Sequence, residues 1–399
     1  MNEEGISEEK IYDLLNQKLE KDLDYDTGKI LGSMCTKPHE FAIRIFSQYA
    51  EKNLGDPGLF PGTLKIEKEL INEIGELLHG KNIEGNIVSG GSEANFIGVH
   101  ISKLTHPNIK NPELVCSSNA HISIFKSAKM LGIKVQEVKL DKNYLPDMND
   151  YKSKINKNTI CVIGIAGTTS LGLIEPIEEI AELIEGKNIH YHVDAAFGGF
   201  VIPFMERLGY KYPKFDFRIK EVDTMTADPH KMGMAVIPTG SILIRDPDII
   251  EKYGFTIPYL AGGCYKHLTI TGTRPGASVI AFWALIKKLG AKGFQKIVQE
   301  CWNNALYLSE EIKNLHGVDL PVPIQINIVG IKNTTKISRS ICMLDEQLRK
   351  RGWALGVFKN LNLARVVCMP HIKKPHIDLF IKDLKDIIKD LGKNYSNKN

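Results

Sequence analysis

The chain has 399 residues, 51 basic and 47 acidic, so its formal charge of +4 is small, and no Lys/Arg block stands apart from acidic neighbours as a nucleic-acid surface requires. Seven scattered cysteines without a C-x-x-C pair argue against a disulfide framework or a zinc site, and no apolar run approaches the ~18–20 residues of a membrane span. With 43% hydrophobic residues and a polar, acidic start unlike a signal peptide, the expectation is a globular cytoplasmic protein without a membrane or nucleic-acid partner.

Residues 1–62 read as an N-terminal arm, with helical pieces broken at Gly28, Gly32 and Pro38 and a turn-rich end from Asn53 to Gly62. Across 63–275, short apolar runs at 85–88, 114–116, 135–140, 160–165, 189–193, 224–226 and 241–244 alternate with amphipathic stretches. That alternation predicts an α/β large domain whose mostly parallel seven-stranded sheet is covered on both faces. From 276 to 399 the pattern gives two linking helices, 276–290 and 292–314. A small α+β C-terminal domain follows: strand 326–331, helix 338–351, strand 364–369 and closing helix 375–391.

Ligands of open α/β sheets sit beyond the carboxyl ends of the strands, and five post-strand segments there are unusual. Ser89-Gly90-Gly91-Ser92-Glu93-Ala94-Asn95 opens a helix with glycines and a hydroxyl, which suits an anion, although a plain glycine turn also explains it. Asn119-Ala120-His121 offers a ring that could stack on a flat ligand or simply cap a helix. Ala166-Gly167-Thr168-Thr169-Ser170 places hydroxyls after an apolar strand. In His192-Val193-Asp194-Ala195-Ala196 an acid ends a buried strand, and burial of a carboxylate calls for a facing cation. Thr226-Ala227-Asp228-Pro229-His230-Lys231 sets a lysine in a polar cluster after another strand. An anion cradle, a stacking ring, a strand-end acid and a lysine together match the needs of pyridoxal 5'-phosphate.

These motifs, in this order, resemble the group II pyridoxal-phosphate-dependent amino-acid decarboxylases of fold type I. The segments Gly32-Ser33-Met34-Cys35, Asn53 to Gly58, Ile163 to Thr169 and Val366 to Ile372 look like the archaeal L-tyrosine/L-aspartate decarboxylase branch. The resemblance implies covalent cofactor attachment at Lys231, Asp194 at the pyridine nitrogen, and Ala196 and His121 on the two ring faces. It further implies Gly91, Ser92 and His230 at the phosphate, with Asp228 replacing an asparagine of the mammalian aromatic enzyme. Thr169 would lie near the phenolic oxygen, and Arg365 would receive a substrate carboxylate unless it forms a structural ion pair. A loop over 254–273 carries Tyr259 and Tyr265 as candidate proton donors, with Thr271 near the phosphate, where the stretch to Gly276 can serve a partner subunit of a homodimer. The implied products are tyramine, for methanofuran, and β-alanine, for coenzyme A.

Aspartate needs a second cation, for which Lys37, His39 and Arg274 are candidates. Two rivals are a carbon–carbon lyase of the sphingosine-phosphate lyase type and a non-catalytic phosphate- or nucleotide-binding module. Absence of G-x-G-x-x-G and of G-x-x-x-x-G-K-[ST] counts against the second.

Overall fold

The computed structural model describes residues 1, 3–334 and 341–396. Helix α1 (Glu8–Leu19) is capped by the Ser7 side chain and buries none of its residues. Helix α2 (Glu40–Gln48) follows, and α3 (Pro61–Leu77) opens on a proline, whose fixed φ and missing N–H suit the first turn.

The central sheet contains β1 (Glu84–Val88), β2 (Glu113–Ser117), β3 (Lys134–Val138), β4 (Thr159–Ile165), β5 (His190–Asp194), β6 (Thr224–Ala227) and β7 (Gly240–Ile244). Their spatial order is β1-β7-β6-β5-β4-β2-β3, and only β7 runs against its neighbours. Interior strands β4 and β5 are buried along their whole length; β4 is accordingly a near-continuous apolar run, whereas β5 carries His190, His192 and Asp194 on one buried face. The helices between strands are α4 (Gly91–Thr105), α5 (Ile122–Leu131), α6 (Met148–Lys154), α7 (Ile177–Ile184), α8 (Ile202–Arg207) and α9 (Ile249–Tyr253). The mostly parallel seven-stranded sheet expected from the sequence is present.

A short hairpin, β8 (Phe255–Ile257) with β9 (Tyr265–His267), was not expected and occupies the 254–273 loop. Helix α10 (Gly276–Lys313) is broken at Gly290, which takes φ 57° and ψ 179°, so the two expected linking helices meet at that kink. The C-terminal part joins β10 (Val318–Asp319), β11 (Ile328–Asn333), β12 (Gly356–Phe358) and β13 (Leu363–Val367) in the order β10-β11-β13-β12. Helices α11 (Ile341–Lys350) and α12 (Lys374–Ser396) complete it. The expected start of the first of these, at 338–340, lies outside the described residues.

This smaller sheet has its own apolar core, and that core includes Leu31 of the arm. The Leu31 and Gly32 amides donate to the Ala354 carbonyl at 2.9 and 2.7 Å, and the Val367 amide donates to the Leu31 carbonyl at 2.7 Å. Gly32 is required there because a Cβ would stand 2.1 Å from the Gly356 nitrogen. Among the described residues no helix is long and apolar enough to cross a membrane.

Candidate active site

Because β4, β5 and β6 are parallel neighbours, the segments that follow them converge at one end of the sheet. Asp194 and Lys231 thereby meet in one cavity of about 440 Å³. Of the residues expected from the sequence, Gly91, Ser92, His121, Thr169, Asp194, Ala196, Asp228, His230 and Lys231 all line it. Asn95, not assigned from the sequence, lines it too.

The anion cradle is the start of α4. Gly90 precedes the helix without a side-chain cap, so the first amides, those of Gly91 and Ser92, have no intrahelical acceptor and point out of the helix end. Glycine is needed at 91, where a Cβ would come within 2.6 Å of Asp228 Oδ2 and 3.2 Å of the Ala196 methyl.

Asp194 is buried at 6% exposure, and its partners are donors. The Ala196 amide donates to Oδ1 at 3.1 Å and the Asn95 side-chain amide donates to Oδ2 at 2.8 Å. His121 caps α5, its Nδ1 accepting the Ser123 amide at 3.2 Å, and burial pushes its pKa down. The helix-cap alternative for His121 holds, and the residue also lines the cavity.

Beyond β6, Lys231 Nζ pairs with Asp228 Oδ2 at 3.1 Å. The other Asp228 oxygen is buried with no hydrogen-bond partner. His230 Nδ1 donates to the Thr239 carbonyl at 2.6 Å, which sets its Nε2 toward Asp228 at 3.9 Å.

Arg365, on β13, lies behind Thr169. Its guanidinium donates to the Thr169 and Gly32 carbonyls, while its Nε is buried without a partner. Burial alone pulls its pKa down to about 10, and no carboxylate among the described residues offsets it. The ion-pair alternative for Arg365 is thus corrected: its fork holds two backbone carbonyls, and among the described residues the positive charge has no counter-acid.

Several expected residues are not brought into this cavity. Tyr259 is 83% exposed at the tip of the β8–β9 hairpin, and Tyr265 is half-buried in β9, where burial pushes its pKa up. Thr271 is exposed, and its amide leans on Glu93 Oε1 at 3.4 Å. The same Glu93 oxygen accepts the Ile270 amide at 3.0 Å, while its other oxygen accepts the Ser89 amide and hydroxyl at 2.8 and 2.7 Å. Glu93, another residue not assigned from the sequence, thereby ties the hairpin's exit to the glycine turn.

The three candidate second cations are also elsewhere. Lys37 pairs with Asp26, and His39 caps α2 by accepting the Phe41 amide at 3.1 Å. Arg274 is buried against Glu67 and the Ile87 carbonyl, so this arginine is structural within its own chain and is not free to meet a partner's phosphate.

Residues present fit pyridoxal phosphate. Unfilled helix-end amides suit a phosphate, the cavity-facing Lys231 amine suits an aldehyde, and a strand-end carboxylate held by two donors suits a protonated ring nitrogen. The buried, partnerless Asp228 oxygen shows that this wall is built for a polar occupant.

Comparison with known proteins agrees. The model of the pyridoxal-dependent decarboxylase conserved domain matches residues 47–333. An L-aspartate/L-glutamate decarboxylase of Pyrococcus horikoshii is 46% identical over 386 residues, covering 96% of this chain and 98% of the relative. An L-aspartate decarboxylase of Thermococcus kodakarensis is 43% identical, covering 98% and 99%. A probable L-tyrosine/L-aspartate decarboxylase of Methanothermobacter thermautotrophicus is 39% identical, covering 92% and 99%.

Among solved structures, a glutamate decarboxylase of Lactobacillus brevis superimposes with a TM-score of 0.89 at 22% identity, covering 98% of this chain and 94% of that one. A sphingosine-1-phosphate lyase of Burkholderia pseudomallei gives the same TM-score and identity, covering 98% and 92%. The fold is therefore that of fold type I pyridoxal-phosphate enzymes and does not separate decarboxylase from lyase; the sequence relatives do. The chain belongs to the pyridoxal-dependent decarboxylase family, and it is an amino-acid decarboxylase that works with pyridoxal phosphate.

Proposed function

We infer that this enzyme removes the α-carboxylate of L-aspartate, releasing CO₂ and β-alanine. The observation that carries the substrate choice is Arg365, a buried guanidinium with an unpartnered Nε and no counter-acid among the described residues, bonded to the carbonyl of the cavity-lining Thr169. A carboxylate is what such a site lacks. Aspartate is also the substrate common to the names of the three relatives described above. β-Alanine formed this way would serve coenzyme A synthesis. L-Tyrosine, giving tyramine for methanofuran, is the second reading, favoured by the Methanothermobacter relative's name and by Met34, Ile165 and Phe197 on the cavity lining.

The cofactor, once bound, supplies an electron sink for the pair released from the Cα–carboxylate bond. Lys231 attaches it, Asp194 pairs with the ring nitrogen, and His121 and Ala196 flank the ring. Gly91, Ser92 and His230 hold the phosphate, with Thr169 beside the substrate. Asp228 is better assigned to Lys231 than to the phosphate, because a carboxylate beside a phosphate repels it.

Proton return to Cα belongs to the tyrosine hairpin in a homodimer. Two surfaces support a second copy: Ile11, Leu14, Leu15 and Leu19 are exposed on α1, and Phe255 and Tyr259 are exposed on the hairpin. Cytoplasmic operation suits seven cysteines of which none forms a disulfide.

The test is CO₂ release from L-aspartate, L-tyrosine, L-glutamate and L-DOPA by the holoenzyme, with Lys231→Ala as control. Fastest release from aspartate, lost in the variant, is expected. Fastest release from tyrosine installs the second reading, and fastest release from glutamate or L-DOPA overturns both.

A further inference from the structure

Beneath Asp194 lies a run of buried polar groups that the chemistry above does not use. Strand β5 alternates, placing His190, His192 and Asp194 on one face, and this face meets α4. His192 is fully buried, and its ring fits only because residue 98 of α4 is glycine, where a Cβ would lie 2.4 Å from His192 Nδ1.

Each hydrogen bond in the run has one consistent direction. The Asn95 Nδ2 amide donates to Asp194 Oδ2 at 2.8 Å and to Ser123 Oγ at 2.9 Å. Its Oδ1 accepts from Thr226 Oγ1 at 2.7 Å and from His192 Nε2 at 3.0 Å. All four hydrogen-bonding positions of this 1%-exposed amide are filled. Turning the amide over would set its oxygen against the Asp194 carboxylate and its N–H groups against two donors.

The directions extend both ways. Burial pushes the pKa of His192 down, so its ring is neutral with a single N–H. With that proton on Nε2, Nδ1 accepts from Thr224 Oγ1 at 2.8 Å, and Thr224 in turn accepts from His190 Nε2 at 2.8 Å. On the cavity side, Ser123 Oγ donates to His121 Nδ1 at 2.8 Å. Asn95 is thus joined both to the acid beneath the ring nitrogen and, through Ser123, to the ring plate.

We propose that Asn95 is the positioning residue of this site: with its amide oriented by His192 and Thr226, it fixes Asp194 and His121 together, so that the carboxylate meets the cofactor's ring nitrogen in one set geometry. His192 and Thr226 act through Asn95 and touch neither cofactor nor substrate. The inference rests on the reading of Asp194 as the partner of that nitrogen.

The test titrates the cofactor-free protein with pyridoxal phosphate and with its carbon analogue, in which CH replaces the ring nitrogen, reading binding by protein fluorescence. Wild type should prefer the natural cofactor. Asn95→Ala and His192→Leu should lose that preference by ~10-fold or more, as expected for a hydrogen bond to a charged group. His192→Gln, which keeps an N–H donor, should retain it, and inorganic phosphate should bind all variants alike.

A parallel loss of affinity for both cofactors, or an unchanged preference, overturns the proposal. Asp194→Ala separates the two levels. If wild type shows no preference, or if Asp194→Ala leaves it intact, the reading of Asp194 falls. If Asp194→Ala abolishes the preference while Asn95→Ala and His192→Leu retain it, the Asn95 proposal alone falls. Should Asn95→Ala not fold, Thr226→Val removes one of the two donors at nearly constant volume and should cut the preference severalfold; no change there overturns the proposal.

Discussion

Lys231 Nζ lies 3.1 Å from Asp228 Oδ2, so the amine proposed to attach the cofactor is held by an acid three residues before it in the β6–β7 connection. The pair is local, and the same acid crowds the glycine turn at Gly91.

Asp228→Asn should therefore tighten binding of inorganic phosphate to the cofactor-free protein severalfold, because it removes an anion from the cradle. It should also lower thermal stability, since Lys231 loses its partner. Calorimetric titration with phosphate checks this; weaker binding in the variant would make Asp228 a phosphate ligand.

Arg365→Lys keeps the charge and loses the planar fork. KM for aspartate should rise by ~10-fold or more, alongside a lower Tm from the lost ties to Gly32 and Thr169. Steady-state kinetics of the folded variant decide the matter, since a fall in Tm with unchanged KM would leave Arg365 a purely structural residue.

Glu175 is fully buried, accepts from Ser117 Oγ and from the Ile165 amide, and has its pKa raised from 4.5 to about 8 by burial. The native state therefore holds this proton to higher pH than the unfolded chain. The associated stability is complete below the unfolded value near 4.5 and is lost as pH rises through about 8, a swing on the order of a few kcal/mol. Glu175→Gln mimics the protonated acid and should flatten that part of the stability–pH curve. Equal pH slopes in denaturant melts of the two proteins would contradict the assignment.

Gly98→Ala should destabilise the protein by roughly 1–3 kcal/mol although alanine is the better helix former, because the new methyl meets the immovable His192 ring rather than a flexible side-chain end. Urea unfolding measures it. A stabilised variant would mean that His192 can shift within its pocket.

Much of this architecture is legible in the amino-acid order. The buried strand β4 is a short apolar run, Gly290 breaks α10 where the periodicity breaks, and the convergence of Asp194 and Lys231 follows from placing them at and beyond the ends of parallel strands. What stayed hidden has physical reasons. Strands β8 and β12 are three residues long, too short for a period to show. Asn95, Thr224 and Thr226 owe their place to partners tens of residues away, which no local pattern announces. One signal was available: His190, His192 and Asp194 alternate within a fully buried strand, and three polar groups on one buried face demand partners from whatever packs on them. Arg274 shows the opposite limit, since its motif looked ligand-directed until Glu67 was found beside it.

The bond from Arg365 to Gly32 spans 333 residues, and the same strand, β13, receives Leu31 along its backbone. Chains leave the ribosome N-terminus first, at ~5–20 residues per second, so the arm and the large sheet must wait for β13 before the wall beside Thr169 can close. A nascent chain, or a fragment cut after α11, already carries Lys231, Asp194 and the glycine turn. It carries the groups proposed to hold the cofactor and lacks the guanidinium proposed to choose the substrate, so on that reading cofactor loading can precede substrate recognition in the life of each molecule.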